Sequence, residues 1–119
     1  MGEIDYLTKL IRPNVGLITN ISYAHIKNFN SLNQIAKAKA EIINNIISEG
    51  TMVINMDDKF YKYFLKKSKL RRLKIITFSK FNHKADVVFL SQRNYKNYCL
   101  IKIKTKNTYS CEYIFNIIR

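Results

Sequence analysis

Three short apolar runs, separated by stretches of helical periodicity, decide most of what this chain can fold into. Val15-Gly16-Leu17-Ile18-Thr19 is apolar through its middle and does not alternate with polar residues. It therefore reads as a strand buried on both faces, the pattern of a parallel sheet. Thr51-Met52-Val53-Ile54-Asn55 and Leu73-Lys74-Ile75-Ile76-Thr77-Phe78 read as two further strands. Parallel neighbours need crossover connections, usually helical, and the intervening sequence supplies them. Strands alternating with helices in this way argue for an α/β fold.

The helical signals are local and specific. Ile4, Leu7 and Leu10/Ile11 share one helical face, and Arg12-Pro13 ends that segment because proline disfavours helix in the residue before it. Ser31-Leu32-Asn33-Gln34 fits a capping box and predicts a helix to about Ser48, with Gly50 just past its end. Asp57 or Asp58 is positioned to cap a third helix carrying Phe60, Tyr61, Phe64 and Leu65. After residue 80 the pattern changes to short β-rich segments: Asp86 to Leu90, Tyr98 to Lys104 and Tyr109 to Phe115. Ile101 and Ile103 alternate with Lys102 and Lys104, which leaves one face wet, and Lys106-Asn107 suits a hairpin turn. The expectation is one domain over residues 1–119: a partial parallel sheet with helices on it over 1–80, followed by a small antiparallel sheet over 85–118.

Composition narrows the functional classes. A hydrophobic content of 47% suits a packed core, and no apolar run approaches the roughly 18 residues a membrane span needs. With no signal-peptide apolar core, a soluble cytoplasmic protein is expected, with no membrane partner. Cys99 and Cys111 have no metal-type spacing and read as free thiols, although neighbouring strands could bring them together. The net charge of +13 points toward nucleic acid or another anionic partner. The excess is mostly lysine, however, whereas bidentate phosphate and base recognition favours arginine. A small basic binding module would use the cluster Lys66 to Arg72 with Tyr95, Tyr98, Tyr109 and Tyr113. The cluster reads more simply as a solvated loop between a helix and a strand, and the tyrosines as sheet packing.

Chemistry concentrates where the strands end. Asn20 follows the first strand, Asn55 with Asp57 and Asp58 follows the second, and His25 lies five residues beyond Asn20. Open parallel sheets bind ligands at that edge. Lys39 falls within the apolar stripe formed by Leu32, Ile35, Ala36, Ile42, Ile43 and Ile46. Burying an unpaired ammonium is costly. Either the side chain snorkels to the edge, or burial lowers its pKa and leaves an amine able to react with carbon dioxide. The resulting carbamate would be an oxygen ligand suited to magnesium.

Four stretches in order resemble the Mur ligase central domain: Gly2-Glu3-Ile4-x-x-Leu7-x-x-Leu10-x-Arg12-Pro13, Ile18-Thr19-Asn20-Ile21-x-x-Ala24-His25, Phe29-x-Ser31-x-x-x-Ile35-Ala36-x-Ala38-Lys39-x-Glu41-Ile42, and Val53-Ile54-Asn55-x-Asp57-Asp58. Thr77-Phe78 and Ala85-Asp86 continue the resemblance more faintly. Within the family, Ala24-His25 and Lys39-x-Glu41-Ile42 are most similar to the branch that adds D-alanyl-D-alanine, with folylpolyglutamate synthase as the alternative branch. The resemblance implies an ATP- and magnesium-dependent ligase of peptidoglycan precursor synthesis. Such a ligase joins D-Ala-D-Ala to a UDP-MurNAc-peptide through an acyl phosphate. It implies His25 and a carbamylated Lys39 as the magnesium-site residues, with Asn20, Asn55, Asp57 and Asp58 at the nucleotide and substrate edge.

The departures shape the expectation equally. No Gly-Lys-Thr/Ser phosphate loop occurs, since the only glycines are Gly2, Gly16 and Gly50. The acidic ligand that precedes Gly-Glu-Ile in the family, the downstream His-Asn motif and the family's C-terminal domain have no counterpart in these residues. Lys27 stands where an acidic residue is common, and Ser22 where glycine is common. The sequence therefore reads as a fragment, split gene or decayed copy. It is expected to be inactive alone and to associate with itself or with a complementary chain.

Overall fold

The computed structural model describes residues 2–22, 31–106 and 108–116. Its elements follow the order α1 (Glu3–Ile11), β1 (Val15–Ile18), α2 (Leu32–Lys39), α3 (Glu41–Asn45), β2 (Thr51–Asn55), α4 (Tyr61–Leu70), β3 (Lys74–Ser79), β4 (Val87–Asn94), β5 (Tyr98–Thr105) and β6 (Thr108–Asn116). All six strands form one sheet in the order β1-β2-β3-β4-β5-β6. The first three pair in parallel, with Leu17 opposite Val53 and Val53 opposite Ile76.

The antiparallel part forms as expected and continues the parallel sheet. β4 pairs parallel with β3, Phe78 opposite Val87, and then antiparallel with β5. β5 and β6 pair with Thr105 opposite Thr108, which places the turn at 106–107; Asn107 itself lies outside the described residues. The register sets Cys99 opposite Phe115 and Cys111 opposite Ile103, so the two cysteines do not face each other and form no disulfide.

The core lies between one face of the sheet and helices α2, α3 and α4. Ile18, Met52 and Ile54 from the strands meet Ala36, Ala40, Ile43, Ile46 and Phe64 from the helices. Each Ile, Met or Phe side chain buried this completely contributes about 1.5–3 kcal/mol. Gly16 lets α3 close onto β1, because a Cβ there would lie 2.8 Å from Ile46 Cδ1 and 3.0 Å from Met52 Sδ. The opposite face is less covered, with Val15, Leu17 and Ile76 exposed.

Three local expectations are corrected. The helix from Leu32 does not run unbroken to Ser48: it tightens at Ala40, where Ile43 N–H donates to the Ala40 carbonyl at 3.1 Å, and α3 ends at Asn45. The left-handed residue after it is Glu49, φ 64°, and not Gly50. Gly50 is required instead for close approach, since a Cβ there would collide with Ile46 Cγ2, with the Asn14 carbonyl at 2.8 Å and with the Ile47 carbonyl at 2.9 Å. The basic cluster is no loop: Lys66 to Leu70 complete α4, and Arg71 donates to the carbonyls of Ile43 at 2.5 Å and Ile46 at 2.9 Å, tying α4 to the end of α3.

Candidate functional site

Parallel strands deliver their C-terminal ends to one edge, and β1, β2 and β3 bring Asn20, Asn55, Asp57, Asp58 and Ser79 there. Asn55 holds two neighbours. Its Nδ2 donates to the Thr19 carbonyl at 2.8 Å, and its Oδ1 accepts the Asp57 N–H at 2.9 Å. Asp58 accepts the Ile21 N–H at 2.7 Å through Oδ2 and the Phe60 N–H at 2.8 Å through Oδ1. It therefore caps the turn before α4 and anchors the exit of β1, while α4 itself begins behind Phe60 with no side-chain cap.

Asp57 turns the other way, toward β3. It accepts the Ser79 hydroxyl at 2.5 Å and the Lys80 N–H at 2.6 Å. Ser79 Oγ in turn accepts the N–H groups of Phe81 at 3.1 Å and Asn82 at 2.7 Å. Farther along the β3–β4 connection lies a second carboxylate system, centred on Asp86. Asp86 Oδ2 accepts both the backbone N–H and the hydroxyl of Thr77, at 2.8 Å and 3.0 Å, and Oδ1 pairs with Lys106 at 3.1 Å. The Thr77 backbone N–H, followed by the hydrogen bond from Lys106, holds the Asp86 carboxyl below its ordinary range.

Lys39 reaches this edge from the helix side. It is half-buried at the end of α2, and its Nζ donates to the Asn20 carbonyl at 3.3 Å. The nitrogen thus sits at the rim, at the end of an apolar stem. His25 lies outside the described residues. Glu41, two residues beyond Lys39, was not singled out as a site residue, yet its carboxylate accepts the N–H groups of Gly2 at 2.9 Å and Asp5 at 3.0 Å. It caps α1 from a distance. On the open face beside Asp57, a cleft of about 530 Å³ is walled by Phe78, Phe81, Val87, Phe89 and Ile103. Lys80 Nζ lies 5.7 Å from the Phe81 ring centre and 5.6 Å from that of Phe89.

With this geometry in place, comparison with known families matches residues 1–117 to the Mur ligase middle domain. The chain belongs to that family. Among curated relatives, the UDP-N-acetylmuramoyl-tripeptide--D-alanyl-D-alanine ligase of Rickettsia prowazekii is 39% identical over 82 residues, 69% of this chain and 18% of the relative. The ligase of the same name from Buchnera aphidicola subsp. Acyrthosiphon pisum is 30% identical over 103 residues, 87% of this chain and 20% of the relative. The chain thus spans about a fifth of the length of these relatives. Among solved structures, MurF from Acinetobacter baumannii superposes with a TM-score of 0.83 at 26% identity, covering 98% of this chain and 24% of that one. A point mutant of L. casei FPGS shares the fold at a TM-score of 0.66 and 16% identity. It covers 86% of this chain and 23% of that one.

The Mur ligase middle-domain sheet edge is therefore present, and its polar groups are largely committed to it. Asp57 and Asp58 each spend both oxygens on hydrogen bonds within the chain. No group of three or more potential metal-holding His, Cys, Asp or Glu side chains occurs among the described residues. Lys39 as an ammonium is a donor and not a metal ligand. The described residues do not by themselves fit a magnesium ion. The three glycines serve the start of α1, the α3–β1 contact and the approach of Gly50 to Asn14, so none contributes to a phosphate cradle. No helix among the described residues is long and apolar enough to cross a membrane.

Proposed function

We propose that this chain is part of an ATP-dependent ligase that extends a UDP-MurNAc-peptide with D-Ala-D-Ala, in the cytoplasm, and that alone it does not turn over. In that reaction the γ-phosphoryl group of ATP passes to a substrate carboxylate, giving an acyl phosphate and ADP. The incoming amine attacks the acyl carbon, phosphate leaves, and an amide remains. A Thermotoga maritima MurF structure in complex with ADP, sharing the fold at 22% identity and a TM-score of 0.72, accords with a nucleotide partner. Magnesium would neutralise phosphate charge when bound.

The observation that carries this reading is the position of Lys39, in a chain whose residues 1–117 match the Mur ligase middle domain. Its amine stands against the Asn20 carbonyl, at the strand edge where parallel sheets bind ligands. The chain's own residues act there as a frame: Asn55, Asp57 and Asp58 fix the exits of β1 and β3, and Lys39 supplies the reactive nitrogen. Carbamylation would require the ammonium to lose one proton, after which the amine forms an N–C bond to carbon dioxide and loses a second. With both protons released to solvent, a cation is replaced by an anionic oxygen ligand.

The test is carbon-13 NMR of the chain in labelled bicarbonate. A carbamate resonance present in the parent and absent in Lys39→Arg supports the assignment; no resonance at saturating bicarbonate removes it. Sequencing the DNA on both sides of the reading frame tests the ligase itself. Frames encoding a Gly-Lys-Thr/Ser loop and a His-Asn motif sustain it, and flanks with neither leave the ancestry but not the activity.

A further inference from the structure

We propose that the recess between α1, α3 and the end of α4 is an oxyanion site that takes one phosphate-sized anion, with Arg12 as its main anchor. The recess is lined by Lys9, Arg12, Asn44, Asn45, Ile46 and Arg71. Lys9 and Arg12 from the end of α1 and Arg71 from the end of α4 therefore meet around one small polar hollow.

The ordinary explanation for cations in such a place is service to helix C-termini, each of which carries about half a negative charge. That accounts for Arg71, and an ion pair within α1 accounts for Lys9. Arg71 holds the Ile43 and Ile46 carbonyls at the end of α3, and Lys9 is paired with Asp5 at 2.8 Å. Arg12 is left over. Its backbone N–H closes α1 on the Thr8 carbonyl at 2.8 Å, while its guanidinium has no hydrogen bond or ion pair among the described residues. The surplus charge is presented by a group whose fork geometry matches oxyanions. Beside it, Arg71 is fixed through two of its five N–H donors, so the remainder are already oriented.

Size and lining decide the ligand class. The hollow measures about 130 Å³, whereas sites for drug- or nucleotide-sized ligands run to roughly 300–1,000 Å³. None of its lining residues is aromatic, so a nucleobase has nothing to stack on. A phosphate or similar tetrahedral anion fits both constraints. The site also stands apart from the proposed ligase edge. Arg12 and Arg71 precede the starts of β1 and β3, whereas Asn20 and Ser79 lie at their other ends. An anion here would bridge α1, α3 and α4 without competing at Lys39.

The experiment uses the 119-residue chain, reading phosphorus-31 shifts and thermal melts in inorganic phosphate against chloride at equal ionic strength. Saturable phosphate binding is expected, weakened about tenfold or more in Arg12→Gln, with the melt of that variant in chloride unchanged. Lys9→Gln, which removes a cation already committed to Asp5, should weaken it less. Equal effects of phosphate and chloride would reduce the recess to general screening of a +13 chain and overturn the proposal. Unaltered phosphate binding by Arg12→Gln would also overturn it. So would protection by polyadenylate with none by phosphate, which would mark a nucleic-acid surface instead. If a variant lacks a cooperative melt, the phosphorus-31 titration alone decides.

Discussion

Asp58 accepts the Ile21 N–H at 2.7 Å, joining two segments 37 residues apart in sequence. Its other oxygen takes the Phe60 N–H at 2.8 Å, so one carboxylate fixes both the exit of β1 and the approach to α4. Asp58→Ala leaves two half-buried donors without this acceptor and should cost about 1–3 kcal/mol. Asp58→Asn keeps one acceptor oxygen and should cost less. Urea denaturation with hydrogen exchange at the Ile21 amide checks the order. Parental stability in Asp58→Ala would show that the link is incidental.

The carboxyl of Asp86 is held below its ordinary range, first by the Thr77 N–H and then by Lys106, against some opposing desolvation. A carboxyl whose folded pKa is depressed contributes stability that is fully present above its unfolded value of about 3.9. That contribution is lost as pH falls through the folded value. Stability should therefore drop on acidification below about pH 4, and Asp86→Asn should flatten that limb while lowering stability at neutral pH. Denaturation midpoints from strongly acidic to neutral pH measure both. An acid limb of equal steepness in the variant would assign the loss to other groups.

How much of this was legible in the sequence depends on how local each signal is. The Ser31 cap could be read directly: the Ser31 hydroxyl accepts the Gln34 N–H at 3.3 Å, as the spacing implies. The three parallel strands were equally plain, because an apolar run between polar ends needs no distant information. The break at Ala40 was not legible, since its surroundings include α1, to which Glu41 turns. Asp57 and Asp58 follow β2 as expected, but a cap for α4 is too local a role for them. A helix cap is visible at short range, whereas the partners they take, Ser79 and Ile21, lie 22 and 37 residues away. Lys39 stood out by periodicity, but its contact with the Asn20 carbonyl, 19 residues away, was beyond local reach. Ser79 was one residue past the expected end of its strand, so the strand-edge argument could have found it.

Glu41 provides the clearest case of a remote contact sustaining a local element. At nine residues, α1 is shorter than the roughly 12–15 residues at which isolated helices become marginal in water, so it depends on docking. It docks by its polar side: Glu41 accepts the Gly2 and Asp5 amides, and Asn45 Nδ2 donates to the Asp5 carboxylate at 2.8 Å and the Thr8 hydroxyl at 2.9 Å. Leu7, Leu10 and Ile11 meanwhile face outward, so apolar burial compensates little for a lost polar contact. Glu41→Ala should therefore loosen α1 selectively. Amide exchange over residues 4–11 should accelerate by about tenfold or more, for a loss of roughly 1–3 kcal/mol at the cap. Strands β2 and β3 should keep parental protection, because their contacts with α4 are untouched. Uniform acceleration across α1 and the sheet would instead show that α1 unfolds only with the whole domain.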